Sequence, residues 1–412
     1  MATFTRVLSR LFLVLLLLLA VLAAIWAYGR LTSPTAAQRE AIALMQSPPV
    51  GEGENGFPTM LALPKAPGPF PPGMNCGNPT QPSCIDAIEA APEAHAAALG
   101  PFRPQLEAAA RALHAPVFRD LRTGTGVNDL PAYAPVMQLD SLRALDFAAG
   151  DTLGALSAAC ADAQGAARWA TNPNTLLEGM LGVAAFHGSA ALIADMRRRA
   201  PLDALPASCA ALAEAPDAAA EGTLCGAMRG EFRWLSQLLP ASPHDIPSEA
   251  GPRWMAPLLH DIDWLLARSA ERYAGTCGPA AEAAARYDRA AGFAPVEQRW
   301  VDRVAFPASV MLDRIAEPAL FDYPERQLDF VAQRRLLAAL LQMDAMAPTL
   351  SSAERFAALP AALRDGPRPL ALADDGASVS VPLRARRSKQ EGSEFRLPLP
   401  PPLAPALPTA SP

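Results

Sequence analysis

The sequence predicts a mainly α-helical protein with one N-terminal transmembrane helix and a small C-terminal β element. Three observations support this fold class: an uncharged apolar run near the start, helical spacing of apolar residues through the middle, and a hairpin pattern near the end. They divide the chain into a cytoplasmic tail (1–10), an anchor (11–29), a Pro/Gly-rich stalk (30–81), a helical domain (82–365), a β element (366–399) and a disordered tail (400–412).

The anchor is predicted from eighteen consecutive residues without a charge, Leu11–Tyr28. A run of this length spans the hydrocarbon core as a helix and exceeds the apolar segment of most cleaved signal peptides. Arg6 and Arg10 precede the run, so the positive-inside bias predicts a cytoplasmic N-terminus and an exported body. Residues 25–27 match a small-residue cleavage site poorly, and we therefore expect the anchor to be retained.

All six cysteines follow the anchor, as expected for a chain that folds in an oxidising compartment. Sequence alone leaves their connectivity open, and buried free thiols are the alternative. Cys76 and Cys84 flank a short, turn-rich loop that closes at low entropic cost, and for the other four we expect pairing in sequence order. The expected disulfides are Cys76–Cys84, Cys160–Cys209 and Cys225–Cys277.

Composition restricts the compartment and the partners. Lys65 and Lys389 are the only lysines among 35 basic residues, a bias typical of a high-GC bacterium. We therefore expect an inner-membrane anchor and a periplasmic body. After residue 30 the chain has 32 basic and 41 acidic residues, which argues against a nucleic-acid partner.

The stalk is predicted because Pro and Gly are frequent across residues 47–82, where a long helix cannot form. Beyond it, apolar residues recur at helical spacing up to Arg364, and two capping boxes mark helix starts at Thr175 and Ser351. The clearest amphipathic stripe, over residues 254–266, is expected to face the core. No repeat period is found, which favours a helical bundle or an irregular helical array.

The β element is predicted from the turn Asp374–Gly376, which is flanked on both sides by alternating residues. This pattern is typical of a β-hairpin. Residues Glu394–Pro398 could add a third antiparallel strand after a basic loop.

The sequence carries no motif for catalysis, and neither a cofactor nor a metal is predicted. Phosphate-binding loops, Ser-x-x-Lys acylases, nucleophile elbows and His-Glu-x-x-His zinc sites are all missing. Two residues remain as functional candidates. His187 falls on the apolar stripe of its helix, where burial would tune its pKa, and Glu231 lies in the segment 224–234. Gly226 and Gly230 in that segment suggest close helix packing or a disulfide at Cys225.

The chain resembles uncharacterised, membrane-anchored periplasmic proteins of high-GC Gram-negative bacteria. The resemblance implies compartment and topology and carries no known activity. It involves the anchor and four short motifs: Asn55–Phe57, the loop between Cys76 and Cys84, Leu224–Phe232 and Val379–Leu383.

These observations favour a non-enzymatic, single-pass protein whose helical periplasmic domain serves envelope interactions or acts as a scaffold. Its expected partners are the inner membrane, through residues 11–29, and another envelope protein. The alternatives are a periplasmic hydrolase built around His187 or Glu231, and a peptidoglycan- or lipid-binding protein without a recognisable motif.

Overall fold

The structure, a computed structural model, describes residues 2–46, 52–71, 83–122, 130–200, 204–241, 261–293, 296–316, 322–347, 349–385 and 393–400. Most of these residues are helical, and the C-terminal part forms a three-stranded antiparallel sheet. The prediction of a mainly α-helical protein with an apolar N-terminal helix and a small sheet is therefore confirmed.

The helices are mostly short, because Pro and Gly interrupt the apolar pattern; residues 84–114, for example, form three helices with Pro in the first turn of the second and third. In chain order the helices are α1 (Ala2–Leu31), α2 (Ala36–Met45), α3 (Phe57–Leu61), α4 (Cys84–Ala90), α5 (Pro92–Leu99), α6 (Arg103–His114), α7 (Leu139–Ala148), α8 (Thr152–Thr171), α9 (Leu176–Arg199), α10 (Ala207–Ala210), α11 (Ala218–Glu221), α12 (Cys225–Ala241), α13 (Ile262–Ala274), α14 (Pro279–Arg286), α15 (Trp300–Ala305), α16 (Pro307–Ala316), α17 (Tyr323–Asp344), α18 (Ser352–Ala357) and α19 (Ala361–Arg364). The strands are β1 (Ala371–Leu372), β2 (Ser378–Pro382) and β3 (Glu394–Pro398).

Helices α8 and α9 form the centre of the main core. The short loop between them makes them antiparallel neighbours, and small residues let their backbones come close. A Cβ on Gly182 of α9 would lie 2.5 Å from the backbone nitrogen of Ala170 in α8. Only glycine fits at this contact.

Helix α17 and the sheet complete the main core. Phe330 of α17 packs edge-on against Phe186 of α9, with ring centroids 5.2 Å apart. In the sheet, Val379 is opposite Leu397 and Val381 is opposite Phe395, so both pairs point to the same face and are buried. The predicted hairpin and its third strand are therefore confirmed.

Two of the three expected disulfides are also confirmed. Cys160–Cys209 joins α8 to α10, and Cys225–Cys277 joins the start of α12 to the loop after α13. Cys84 is disulfide-bonded as well, but Cys76, its expected partner, lies outside the described residues. None of the described cysteines is a free thiol.

The predicted stalk is not confirmed, because its described parts pack on the body. Helix α2 lies against α13 and α12 and buries Ala41 and Met45. Phe57 and Met60 of α3 are buried in the main core, and Asn55 forms a bridge with Val117. The Pro and Gly content of the region shortened its helices without preventing its few large apolar side chains from being buried.

Candidate functional sites

His187, the first sequence candidate, lies in the middle of α9 and is half-buried, less than the apolar stripe predicted. Its ring packs against the ring of Phe395 in β3, with centroids 4.3 Å apart. The contact joins the central helix to the sheet. This position is explained by packing between two elements of the core.

Glu231, the second candidate, lies on α12 and caps another helix. Its Oε2 accepts a hydrogen bond of 3.0 Å from the backbone N–H of Leu176, the first residue of α9. Free N–H groups at a helix N-terminus are stabilised by a carboxylate in this way. Burial raises the pKa of Glu231. The structure therefore assigns Glu231 a capping contact.

Glu178, a second buried carboxylate, also accepts hydrogen bonds from backbone N–H groups at the start of α9. It accepts hydrogen bonds from the backbone N–H of Asn174 at 2.7 Å and of Thr175 at 3.2 Å, as its predicted capping box requires. It also accepts a hydrogen bond from the hydroxyl of Tyr133. Burial raises the pKa of Glu178 to about 7.

Two arginines lie within electrostatic range of Glu178. Burial, followed by the charge of Arg233, lowers the pKa of Arg119 to about 10. Arg119 donates to the carbonyl oxygens of Phe118 and Asn172 at 2.9 and 2.6 Å. The cluster therefore holds two helix ends and a loop together by charged hydrogen bonds.

The two glycines of α12 lie directly against the loop that precedes α9. A Cβ on Gly226 would be 2.3 Å from the carbonyl oxygen of Thr171, and one on Gly230 would be 2.5 Å from that of Asn174. The Cys225–Cys277 disulfide fixes the same end of α12. The predicted disulfide at Cys225 is confirmed, and the close approach of α12 is made to the end of α8 and to the loop that follows it.

A polar triad that the sequence did not reveal lies between α6, α7 and α8. Asp162 accepts from Arg143 Nε at 2.7 Å and is 2.6 Å from Nε2 of His114. One turn away on α7, Asp140 accepts a hydrogen bond of 2.8 Å from Ser189 on α9, and burial raises the pKa of Asp140 to about 7. These groups are paired with each other inside the core.

The end of α1 packs on the body at a defined contact, which we call the anchor junction (residues 26–31 of α1 with Asp261, α15 and Phe306). A Cβ on Gly29 would lie 2.6 Å from that of Ala305, so the two helices touch at small residues. The Arg30 guanidinium forms a 3.2 Å ion pair with Asp261. It also lies 4.7 Å from the ring centre of Trp26 and 5.2 Å from that of Phe306.

The anchor junction continues into a buried aromatic cluster. Trp264 of α13 stacks on Phe306 with ring centroids 5.3 Å apart, and Trp26 packs against this pair. Asp261 also caps α13 through the N–H of Trp264 at 2.9 Å. This contact could not be predicted from the sequence, because no local pattern links residue 30 to residue 261.

Within the described ranges, no group of three or more His, Cys, Asp or Glu residues is arranged to hold a metal ion. The chain matches no known protein-family model, no curated protein and no solved structure.

Proposed function

We propose that this chain is a single-pass inner-membrane protein whose helical body lies in the periplasm and acts there as a non-catalytic interaction or scaffold module. Residues 1–10 remain in the cytoplasm, and the anchor is retained. The body is held close to the membrane surface by its contact with the end of the anchor.

The anchor junction is the observation that carries this proposal. Helix α1 runs without a break from the apolar span into contact with α15, and Arg30 pairs with Asp261 across that contact. A direct helix contact restricts the distance of the body from the bilayer far more than a flexible linker would. A rigid attachment of this kind suits a protein that acts on partners at the membrane surface.

Exposed apolar side chains next to the anchor junction support the same position. Trp300 begins α15 and is 64% exposed, while Met311 on α16 is 60% exposed. Trp prefers the membrane–water interface, where its amphipathic ring lies at the level of the lipid headgroups. We expect the surface of α15 and α16 to touch the lipid headgroup region.

The surroundings of the two candidate residues favour a structural role for both over catalysis. His187 packs on Phe395, and Glu231 caps α9. Catalytic groups need a place near them where a substrate can lie, and both residues use their contacts to join parts of the core.

The membrane contact can be tested by fluorescence quenching. The full chain would be reconstituted in nanodiscs whose lipids carry bromine near the headgroup end of the acyl chains. We expect Trp300→Phe to remove a measurable part of the quenched emission. Trp264→Phe, which changes a buried residue that is 1% exposed, should leave the quenched part unchanged.

Equal quenching in wild type and Trp300→Phe would contradict the contact of α15 with lipid. The non-catalytic role has its own test, a broad panel of hydrolase substrates offered to the purified full chain. Turnover that His187→Ala abolishes would contradict that role and favour the periplasmic hydrolase.

A further inference from the structure

A cleft of about 140 Å³ opens between α11, α14, α17 and the segment that follows α19. Its walls are mainly apolar, with Leu328 and Val331 on α17 and small alanine and proline residues opposite. Three arginines also line it: Arg286, Arg335 and Arg368. The space corresponds to roughly five water molecules at about 30 Å³ each.

Arg335 is the unusual residue of this cleft. It is only 9% exposed, and its buried Nε and Nη2 atoms have no hydrogen-bond acceptor among the described residues. An arginine side chain stays protonated in proteins, and a buried charge without a partner is strongly unfavourable. Burial, and then the nearby charge of Arg368, lower the pKa of Arg335, and the charge of Asp288 opposes this by raising it. An anion in the cleft would offset the positive charge that remains at Arg335.

The carboxylates of this region are already occupied by other donors. Asp288 accepts two hydrogen bonds from Arg368, at 2.8 and 2.7 Å, and lies 2.6 Å from Nη2 of Arg384. Asp329 accepts from Arg368 and from the backbone N–H groups of Arg384 and Ala385 at 2.9 and 3.0 Å. The negative charges of these two aspartates therefore offset the positive charges of Arg368 and Arg384. The positive charges of Arg335 and of the exposed Arg286 are then in excess.

The backbone around the cleft is shaped to hold these groups. Asp288 takes a positive φ of 56° where α14 ends, and the N–H groups of Asp288 and Arg289 return to α14 carbonyl oxygens at 2.8 Å each. Glycine is the usual residue at this position, so the aspartate is present for its carboxylate. A Cβ on Gly366 would lie 1.7 Å from Nη1 of Arg335, so any other residue here would displace the guanidinium.

We propose that this cleft binds a small organic anion, whose carboxylate pairs with Arg335 and whose apolar part lies against Leu328 and Val331. One unpaired guanidinium matches the single charge and the two oxygens of a carboxylate. The apolar walls favour a short hydrocarbon group over a fully hydrated inorganic ion. Arg286, at the exposed side, raises the local concentration of anions. The inference is independent of the membrane topology proposed above.

Butyrate and inorganic phosphate serve as probes, with chloride at matched ionic strength as the reference. The melting temperature of the detergent-solubilised full chain would be followed during titration. We expect butyrate to raise it saturably by about 2–4 °C, because a ligand that binds only the folded state stabilises it. Arg335→Met should abolish this response and also raise the melting temperature without anion by about 2 °C, since a buried unpaired charge is removed.

Two further variants separate binding from folding. Val331→Phe fills the cleft and keeps Arg335, so it should also lose the response to butyrate. Arg334→Gln changes the neighbouring arginine, which lies 3.6 Å from Glu221, and should respond like the wild type. A wild type without a saturable response, or an Arg335→Met variant that retains it, would overturn the proposal. Stabilisation by phosphate but not by butyrate would overturn the assignment of a carboxylate.

Discussion

Helices α1 and α9 resemble each other in composition and differ in their surroundings. Both are long and apolar enough to cross a membrane, with mean hydropathies of 2.8 for Arg6–Leu31 and 1.5 for Leu176–Arg199. In the most apolar stretch of α1, 0% of the residues are buried inside the protein. In that of α9, 67% are buried. A helix that is apolar on all sides must be kept away from water, either by lipid or by the rest of the protein. Its side chains determine which of the two surrounds it.

The side chains of the two helices explain the difference. Between Leu11 and Tyr28, α1 is rich in leucine and has no charge, so it is suited to lipid. Helix α9 has Gly182 where the backbone of α8 approaches, and its charged residues have protein partners. Glu178 is fully buried among hydrogen-bond donors, and Arg197 pairs with Asp344. Paired charges and close backbone contacts identify a core helix.

The largest difference in the free energy of unfolding is expected when one large side chain is removed from each helix. Phe186→Ala in α9 should lower the free energy of unfolding by about 3–5 kcal/mol, because it leaves a cavity beside Phe330. Leu15→Ala in α1, where the side chain is 53% exposed, should leave the stability of the body unchanged. Chemical denaturation in detergent measures both. Equal losses would mean that α1 is also a core helix.

A substitution that adds volume sharpens the contrast. Gly182→Ala in α9 should cost roughly 1–3 kcal/mol, because the added methyl group would meet the backbone of α8. Gly100→Ala is the matched control, since nothing lies within 4 Å of its added Cβ and its φ is −49°. We expect the control to be neutral or slightly stabilising. If Gly182→Ala were equally harmless, the close contact of α8 and α9 would be wrong.

The buried carboxylates of α9 and its neighbour α7 predict a pH dependence that α1 lacks. The folded-state pKa values of Glu178 and Asp140 are both about 7, above the ordinary values of 4.5 and 3.8. Between these values the folded state binds more protons than the unfolded state, so the free energy of unfolding falls as pH rises toward 7. Glu178→Gln should reduce this fall by on the order of 2 kcal/mol.

Urea unfolding at pH 5 and pH 7 measures this effect in the wild type and in Glu178→Gln. Glu354→Gln provides a control at an exposed capping box, where the pKa is lowered by hydrogen bonds to Ser351. A wild type that gains stability relative to Glu178→Gln between pH 5 and pH 7 would reverse the sign and contradict the account.

The smallest effect is expected at the anchor junction, where the two regions meet. Arg30→Gln removes an ion pair whose side chains are both 24% exposed, and pairs of this kind contribute about 0.2–1 kcal/mol. Melting of the detergent-solubilised chain should therefore shift only slightly, and less at high salt. Asp261→Asn should cost at least as much, because Asp261 also caps α13. A loss of several kcal/mol in Arg30→Gln would show that the junction holds the body together.

Features fixed by local chemistry could be predicted from the sequence. The capping boxes at Thr175 and Ser351 are formed as predicted, and so is the hairpin around Asp374–Gly376. Each depends on residues within a few positions of one another. The sequential disulfides Cys160–Cys209 and Cys225–Cys277 were favoured by order alone, and they are formed.

Features that depend on distant residues could not be predicted. The stripe over residues 254–266 was expected to face the core, yet its described members Ile262, Leu265 and Leu266 are only half-buried. On the same helix Arg268 and Arg272 are buried near Asp313, and hydropathy assigns such residues to solvent. Arg335 could not be identified for the same reason, since its significance lies in what surrounds it.

The central claim is that α1 is a lipid-embedded anchor and that everything after it is exported. The most direct measurement is the activity of alkaline phosphatase fused after residue 400 of the full chain in intact cells, since this reporter needs an oxidising compartment to fold. The account predicts an active fusion, with cysteines that react with a thiol reagent only after reduction. An inactive fusion, with all six thiols reactive before any reductant is added, would contradict it.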